Sequence, residues 1–481
     1  MRGSLIVGAG PGGTGPLVWA AQSGGLDAWL KSGVTVFDRE ARMGGTIGRY
    51  VINSDSLGTA YLECLDAPPA RELFAPLRDE AVTRELEAMR YGYPPLRVVG
   101  EYLRRLGGLL EQAIGRYPGS SEFRPRATVR ALHLREGGTV AAEVVTSEGD
   151  VLFNEAVCAV MALGGRQDLS TYLHAPLLRG VRLADAELGK IVASDALLTS
   201  GGLKRASALL AKASTPRVVV LGGAHSAFSV LWTLTHLLPD IRFGADAITL
   251  LYRRPARVLY WTRDDARADG YAFTERDVCP RTQRVNRFGG LRGDGRETWR
   301  RLTGRPGAER EARVRMVSLS DPDLSPLQLR RLLDEATLIV PAFGYRSATV
   351  PVLDPEGRPI RLKADQGGPA VDREARLLTA DGGHIPNIFG IGLGADYRPW
   401  GAMGGEPSFE GQTNGLWLYQ NDIGAVVYQG VRRCLDEAER LRIPRQPEPI
   451  VAPVAAPKIG AVLEDALMLH SAAAGVPAGS G

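Results

Sequence analysis

Two glycine-rich turns carry the residues whose types and spacing have the clearest chemical use. The first, Gly8-Ala9-Gly10-Pro11-Gly12-Gly13, follows the apolar run Ser4-Leu5-Ile6-Val7, and the next such run, Val34-Thr35-Val36-Phe37, closes on Asp38. In a strand–turn–helix unit Gly8 permits the tight turn and Gly10 lets backbone approach a pyrophosphate. Gly13 lets helix and strand pack closely, and Asp38 can take ribose hydroxyls. The second turn, Gly222-Gly223-Ala224-His225-Ser226, follows Val218-Val219-Val220-Leu221, and its next strand ends in Arg253-Arg254. A carboxylate suits free ribose hydroxyls, whereas guanidinium suits a ribose phosphate, so the pair reads as FAD first and NADPH second. Two dinucleotide sites in one chain imply a relay of electrons. Each turn also has a plainer reading as strand–helix packing, and Arg253-Arg254 as a solvated strand end.

The elements that must position these turns follow from hydrophobic periodicity. Residues 4–48 read as strand, turn, helix, strand and a second close-approach turn at Gly44-Gly45, the opening of a βαβ unit. Residues 98–113 have helical spacing, 128–153 are β-rich, and the apolar run 156–165 reads as a buried parallel strand ending at two glycines. A later apolar strand, residues 384–391, returns to glycines at Gly392 and Gly394. The expected fold is α/β: a Rossmann-like FAD-binding domain (residues 1–194 and 346–444) with an inserted Rossmann-like NADPH-binding domain (195–345). The Pro- and Ala-rich residues 445–481 read as a flexible tail, with 459–469 as a short docking helix.

Composition narrows the function classes. The 481 residues are 44% hydrophobic and 23% charged, ordinary for a multidomain globular chain, and a net charge of +4 argues for neither a nucleic-acid nor a membrane partner. Arginines recur between Arg281 and Arg315, as a solvated surface or an anion-facing loop. Cys64, Cys158, Cys279 and Cys434 are scattered, without the close pair a disulfide reductase needs and without metal-ligand spacing, so no metal is expected. The first strand begins within a few residues of Met1, and no apolar run reaches membrane-spanning length. A soluble cytoplasmic enzyme is expected. Whether it forms a homo-oligomer is open.

With these turns in place, the chain resembles the two-dinucleotide-binding flavoprotein monooxygenases, and among them the N-hydroxylating amino-acid monooxygenases acting on ornithine or lysine. The resemblance runs to about residue 430. Its more specific carriers are Asp269-Gly270-Tyr271-Ala272-Phe273-Thr274-Glu275-Arg276-Asp277-Val278-Cys279-Pro280, similar to the family's substrate-side segment, and Ala342-Phe343-Gly344-Tyr345, similar to its Ala-Thr-Gly-Tyr signature. Thr274 stands where the family has an asparagine, and Phe343 where it has threonine. These departures point away from ornithine and lysine themselves. Gly392-Leu393-Gly394 lacks the aspartate that reductases place on the flavin ribityl chain.

The resemblance implies oxygen transfer from a C4a-hydroperoxyflavin to a heteroatom, most naturally an amine nitrogen of a small biosynthetic substrate, with NADPH and O2 consumed. It places FAD on Gly8, Gly10, Gly12, Gly13, Asp38, Gly45, Arg49, Gly392 and Gly394. NADPH falls to Gly222, Ala224, His225, Ser226, Arg253, Arg254 and Tyr345. Asn53 and Ser54, in the loop leaving the FAD turn, are the candidates beside the flavin, with a turn role as the plainer alternative. Trp261, Tyr271, Phe273 and Thr274 are the substrate candidates. Two other readings stay open at this point: a flavin-dependent NAD(P)H dehydrogenase or reductase, and a nucleotide-binding scaffold without catalysis.

Overall fold

The computed structural model describes residues 2–442 except residue 179. The chain up to Ala438 forms one compact unit. Of the second unit, from Glu439, the described part is the end of the helix Asp422–Arg442. The segments 445–481 and 459–469 lie outside the described residues.

The first sheet is built around Arg2–Val7, which pairs in parallel with Val34–Phe37 on one side and Val151–Met161 on the other. Leu5, Ile6, Val34 and Val36 are fully buried, as expected for strands covered on both faces. Val151–Met161 has two roles. It pairs antiparallel with Val140–Val145, and its later residues pair in parallel with Arg2–Val7 and with Ile388, Phe389 and Gly390 of the strand His384–Gly390. The chain therefore returns to its first sheet after a long excursion.

That excursion makes a second sheet of four parallel strands, in the order Val314–Ser318, Ile248–Tyr252, Val218–Leu221, Leu338–Pro341. The pleat divides its core by alternate residues. Val218 and Val220 pack into one apolar cluster, while Val219 and Leu221 pack into another on the opposite face. The outgoing and returning links run side by side, because Gly165–Arg166 and Arg346–Ser347 pair antiparallel. A mixed α/β architecture with one parallel β-α unit set into another is what the two glycine turns required.

The helix Leu96–Gly115 positions the loop that leaves the first turn. Its small residues allow close approach: a Cβ on Gly100 would collide with the backbone of Gly48, and one on Gly107 would lie 2.6 Å from the Met43 carbonyl carbon. Backbone bonds from Leu96 N to Ile52 O (2.9 Å) and from Ser54 N to Pro94 O (2.8 Å) then pin residues 52–54.

Candidate active site

The first turn is a cradle of backbone. Gly8 has φ of 100°, a left-handed conformation that favours glycine, and a Cβ on Gly13 would collide with the Gly8 carbonyl. Two other segments close on the same turn: a Cβ on Gly45 would come 3.0 Å from Gly10 Cα, and one on Gly12 would come 3.1 Å from Gly392 Cα. Three glycine segments thus meet at the start of the helix Pro11–Gln22, whose first-turn amides suit a diphosphate. Asp38 stands beside them, accepting bonds from Ala9 N (2.5 Å) and Glu40 N (2.8 Å). Gly394 N donates to Gln412 Oε1 at 3.0 Å. Any side chain added at these glycines would fill the cradle, so the residues present fit FAD.

The second turn repeats the device. Gly222 has φ of 147°, and a Cβ there would lie 2.5 Å from the Ala342 carbonyl oxygen. One on Gly223 would lie 3.0 Å from the Arg254 carbonyl oxygen. Ala224 caps the helix His225–His236 without a side-chain bond, so the first-turn amides are available to an anion. Both arginines at the strand end are exposed; Arg253 donates to Pro176 O at 2.9 Å, and the Arg254 side chain makes no hydrogen bond or ion pair among the described residues. The geometry fits NADPH, with Arg254 the freer of the two guanidiniums.

Asp195, which the sequence did not single out, links the two sheets. It accepts from Tyr345 Oη at 2.9 Å, from Tyr50 Oη, and from Arg49 Nη2 at 3.2 Å. Burial, reinforced by the neighbouring Tyr50 and Asp195, holds the Tyr345 phenol well above its ordinary pKa, so it remains a donor. Arg49 and Tyr345 thus belong to one polar junction.

A small cleft, partly open to solvent, lies beside it. Ile52, Asn53, Ser54 and Asp55 line it from the loop after the first turn, and His225, Ser229 and Trp232 from the helix at the second; Arg292 and Asp294 complete the wall. Asn53 Nδ2 donates to Asp294 Oδ2 at 2.9 Å. Burial raises the Asp294 pKa above the usual carboxylate value, against the Asn53 bond, and burial also lowers that of His225. His225 Nε2 is buried with no hydrogen-bond partner. A neutral imidazole and an uncommitted carboxylate oxygen facing one cavity can bind an amine and take its proton.

The remaining candidates separate. Ser54 Oγ is buried, 2.6 Å from Tyr61 Oη and accepting from Ser56 N at 2.8 Å, which is a turn role. Thr274 is exposed and caps a short turn, its N and Oγ1 both donating to Asp277 Oδ2 (2.8 and 2.9 Å). Tyr271 packs on Tyr260 and Trp299 and accepts from Asn286 Nδ2 at 3.0 Å, while Phe273 lies under Arg267. Trp261 is 40% exposed, beneath Arg284 at 3.9 Å. Ser226 follows His225 on the second-turn helix.

No protein-family model matches the chain. It is 33% identical over 430 residues to the CMP-5'-(3-aminopropyl)phosphonate hydroxylase of Streptomyces rubellomurinus, a span covering 89% of this chain and 97% of that relative. Among solved structures, it is similar in fold to the reduced ornithine hydroxylase of Pseudomonas aeruginosa (15% identity, TM-score 0.51, covering 90% of this chain and 100% of that one). It is likewise similar to the FAD-bound cadaverine monooxygenase of desferrioxamine biosynthesis from Erwinia amylovora (13% identity, TM-score 0.52, covering 95% and 100%). Together with the paired glycine cradles, this relationship settles the class: the chain belongs to the two-dinucleotide-binding flavoprotein monooxygenases, and its fold is that of the N-hydroxylating enzymes.

Proposed function

We propose that this chain N-hydroxylates the terminal primary amine of a small biosynthetic substrate, converting R–NH2, O2, NADPH and a proton into R–NHOH, water and NADP+. One observation carries the reading: a single cavity takes walls from the loop after the first glycine turn and from the helix that opens at the second. A relay from NADPH to FAD has its natural end there.

FAD, when bound, supplies the oxygen-activating chemistry. Gly8, Gly10, Gly12, Gly13, Asp38, Gly45, Gly392 and Gly394 hold it, within residues 1–194 and 346–444. The turn 222–226 with Arg254 holds NADPH, within 195–345. An ammonium has no lone pair, so the substrate must lose a proton before it reacts. His225 Nε2 takes that proton, Asn53 and Asp294 orient the nitrogen, and Ile52 and Trp232 limit water in the cavity. The reaction belongs to the cytoplasm, where NADPH is supplied; no helix among the described residues is long and apolar enough to cross a membrane.

The substrate in that relative's name joins an aminopropyl group to a phosphonate on CMP. An amine carried on an anionic group of that kind is the substrate class proposed here. The test is aerobic turnover of the FAD-loaded enzyme with NADPH and a panel of amines that includes 3-aminopropylphosphonate. Hydroxylamine formed in proportion to NADPH consumed is the expected result. Hydrogen peroxide as the sole oxygen product with every amine overturns the reading in favour of a reductase or oxidase.

A further inference from the structure

Most arginines in the arginine-rich stretch 281–315 have a carboxylate or carbonyl to hold. Arg300 pairs with Asp269 at 3.1 Å and Arg313 with Glu311 at 2.6 Å. Arg284, Arg287 and Arg292 lie close together on one loop; all three are half-buried, and among the described residues none is ion-paired. The Arg284 guanidinium stacks on Trp261 at 3.9 Å and makes no hydrogen bond among the described residues. Arg287 lies over Phe288 at 4.5 Å, with Nη1 donating to Met403 O at 2.7 Å. Arg292 donates to the Arg287 carbonyl, its Nε is buried without a partner, and its side chain lines the cavity of Asn53 and His225.

Three half-buried guanidiniums without an ion-pair partner are costly to fold, even with Asp55 and Asp294 lining the same cleft as Arg292. Burial, with Arg287 and Arg292 close by, pulls the Arg284 pKa down to about 10. The loop that carries them is nevertheless held firmly. Buried Glu406 accepts from Phe288 N (3.1 Å) and Gly289 N (2.9 Å), and buried Asn286, at φ of 49°, donates to Val258 O at 3.1 Å. A rigid loop that holds three guanidiniums without ion pairs, one of them on the cleft wall, is preorganised for an anion.

We propose that Arg284, Arg287 and Arg292 form the anion-recognition site for the substrate, taking a phosphate or phosphonate group while the amine enters beside Asn53 and Asp294. Planar guanidinium forks match the tetrahedral oxyanion in bidentate fashion, which an ammonium cannot do. The assignment rests on the N-hydroxylase reading for its amine end, but its anion end stands on the arginines alone.

The test is calorimetric titration of the FAD-loaded enzyme with 3-aminopropylphosphonate, with cytidine 5'-monophosphate, and with propylamine as the uncharged-handle control. The wild type is expected to bind at least one of the two anions, and both of those it binds more weakly at high salt. Arg284→Ala and Arg287→Ala should each weaken that binding by about tenfold or more, with partial recovery in Arg284→Lys and unchanged NADPH affinity. Arg284→Ala is the decisive variant, because its guanidinium makes no hydrogen bond to the rest of the fold among the described residues; a melting curve checks both for the lost packing. Loss confined to the nucleotide, or to the phosphonate, identifies which group the arginines hold. A fall in NADPH affinity with anion binding intact, or no change in either, overturns the proposal. Anion binding through these arginines without hydroxylamine formation instead overturns the N-hydroxylase reading and leaves the anion site in place.

Discussion

Tyr345 Oη donates to Asp195 Oδ1 at 2.9 Å, tying the segment that leaves the four-stranded sheet to the short helix Ser194–Leu197. Tyr50, from the loop after the first glycine turn, donates to the same oxygen. One carboxylate therefore gathers hydroxyls from both nucleotide-binding segments. Asp195→Ala leaves two partly buried phenols without their acceptor and should cost about 1–3 kcal/mol of stability, seen as a lower melting temperature. Asp195→Asn keeps an acceptor oxygen and should cost less. Arg49 is 47% exposed, so Arg49→Ala should change stability little. Equal losses in all three variants would contradict this division.

The glycine cradle predicts cofactor loss separately from misfolding. A Cβ on Gly12 meets Gly392 Cα at 3.1 Å, a contact that a small shift relieves, whereas a Cβ on Gly13 collides with the Gly8 carbonyl. Gly12→Ala should fold and lose FAD affinity by tenfold or more, read as the flavin-to-protein absorbance ratio after gel filtration. Gly13→Ala should lower expression of folded protein as well. A Gly12→Ala enzyme that retains full flavin would remove this turn from the FAD site.

Much of this organisation was legible in the sequence because it rests on local rules. Glycines 8, 13 and 222 announce backbone that cannot carry a side chain, and apolar runs such as 156–161 announce strands covered on both faces. The junction at Asp195 was not legible, because its partners Tyr50 and Tyr345 are 145 and 150 residues away in sequence. Asp294 was missed for the same reason: only folding brings it to Asn53, 241 residues distant. Thr274 was singled out by likeness to a family segment, yet its side chain is spent on Asp277 three residues later. The arginine-rich stretch was visible as composition, but only the fold shows that Arg284, Arg287 and Arg292 gather on one loop, half-buried and without ion pairs.

Cofactor preference should follow Arg254 more than Arg253. Arg253 already holds Pro176 O, while the Arg254 side chain, beside the second turn, makes no hydrogen bond or ion pair among the described residues. Arg254→Ala should raise the KM for NADPH by about ten- to a hundredfold and leave that for NADH nearly unchanged, since only NADPH carries the ribose phosphate. An equal effect on both cofactors, measured by anaerobic flavin reduction, would move the phosphate site elsewhere.

Asp294 should show opposite effects on stability and binding. Its folded pKa is raised by burial, so between its ordinary value and that raised value the folded state binds more protons than the unfolded one. Stability therefore falls as pH rises through this window, and the ionised carboxylate is a net cost at neutral pH. Asp294→Asn should melt no lower than wild type at pH 7 and should lose the wild type's gain on acidification. The same substitution removes the charge that meets the substrate nitrogen, so the KM for the amine should rise about tenfold or more.

Asn53 and Ser54 are neighbours with different work. Asn53 faces the cavity through its bond to Asp294, so Asn53→Ala should lower kcat with a modest loss of stability. Ser54 belongs to the same wall, but its Oγ is turned inward, buried against Tyr61 at 2.6 Å and accepting from Ser56 N. Removing this hydroxyl leaves a buried phenol and an amide unpaired, a loss of about 1–3 kcal/mol in Ser54→Ala. Burial holds the Tyr61 phenol far above its ordinary pKa, so it stays neutral and the deficit should not vary between pH 6 and 9. Hydroxylamine formation per folded, flavin-loaded molecule should remain near wild type in Ser54→Ala and fall in Asn53→Ala. The reverse pattern would make the serine the group that acts on substrate, and would mean that the loop turns over when FAD binds, because as folded here its hydroxyl is already committed.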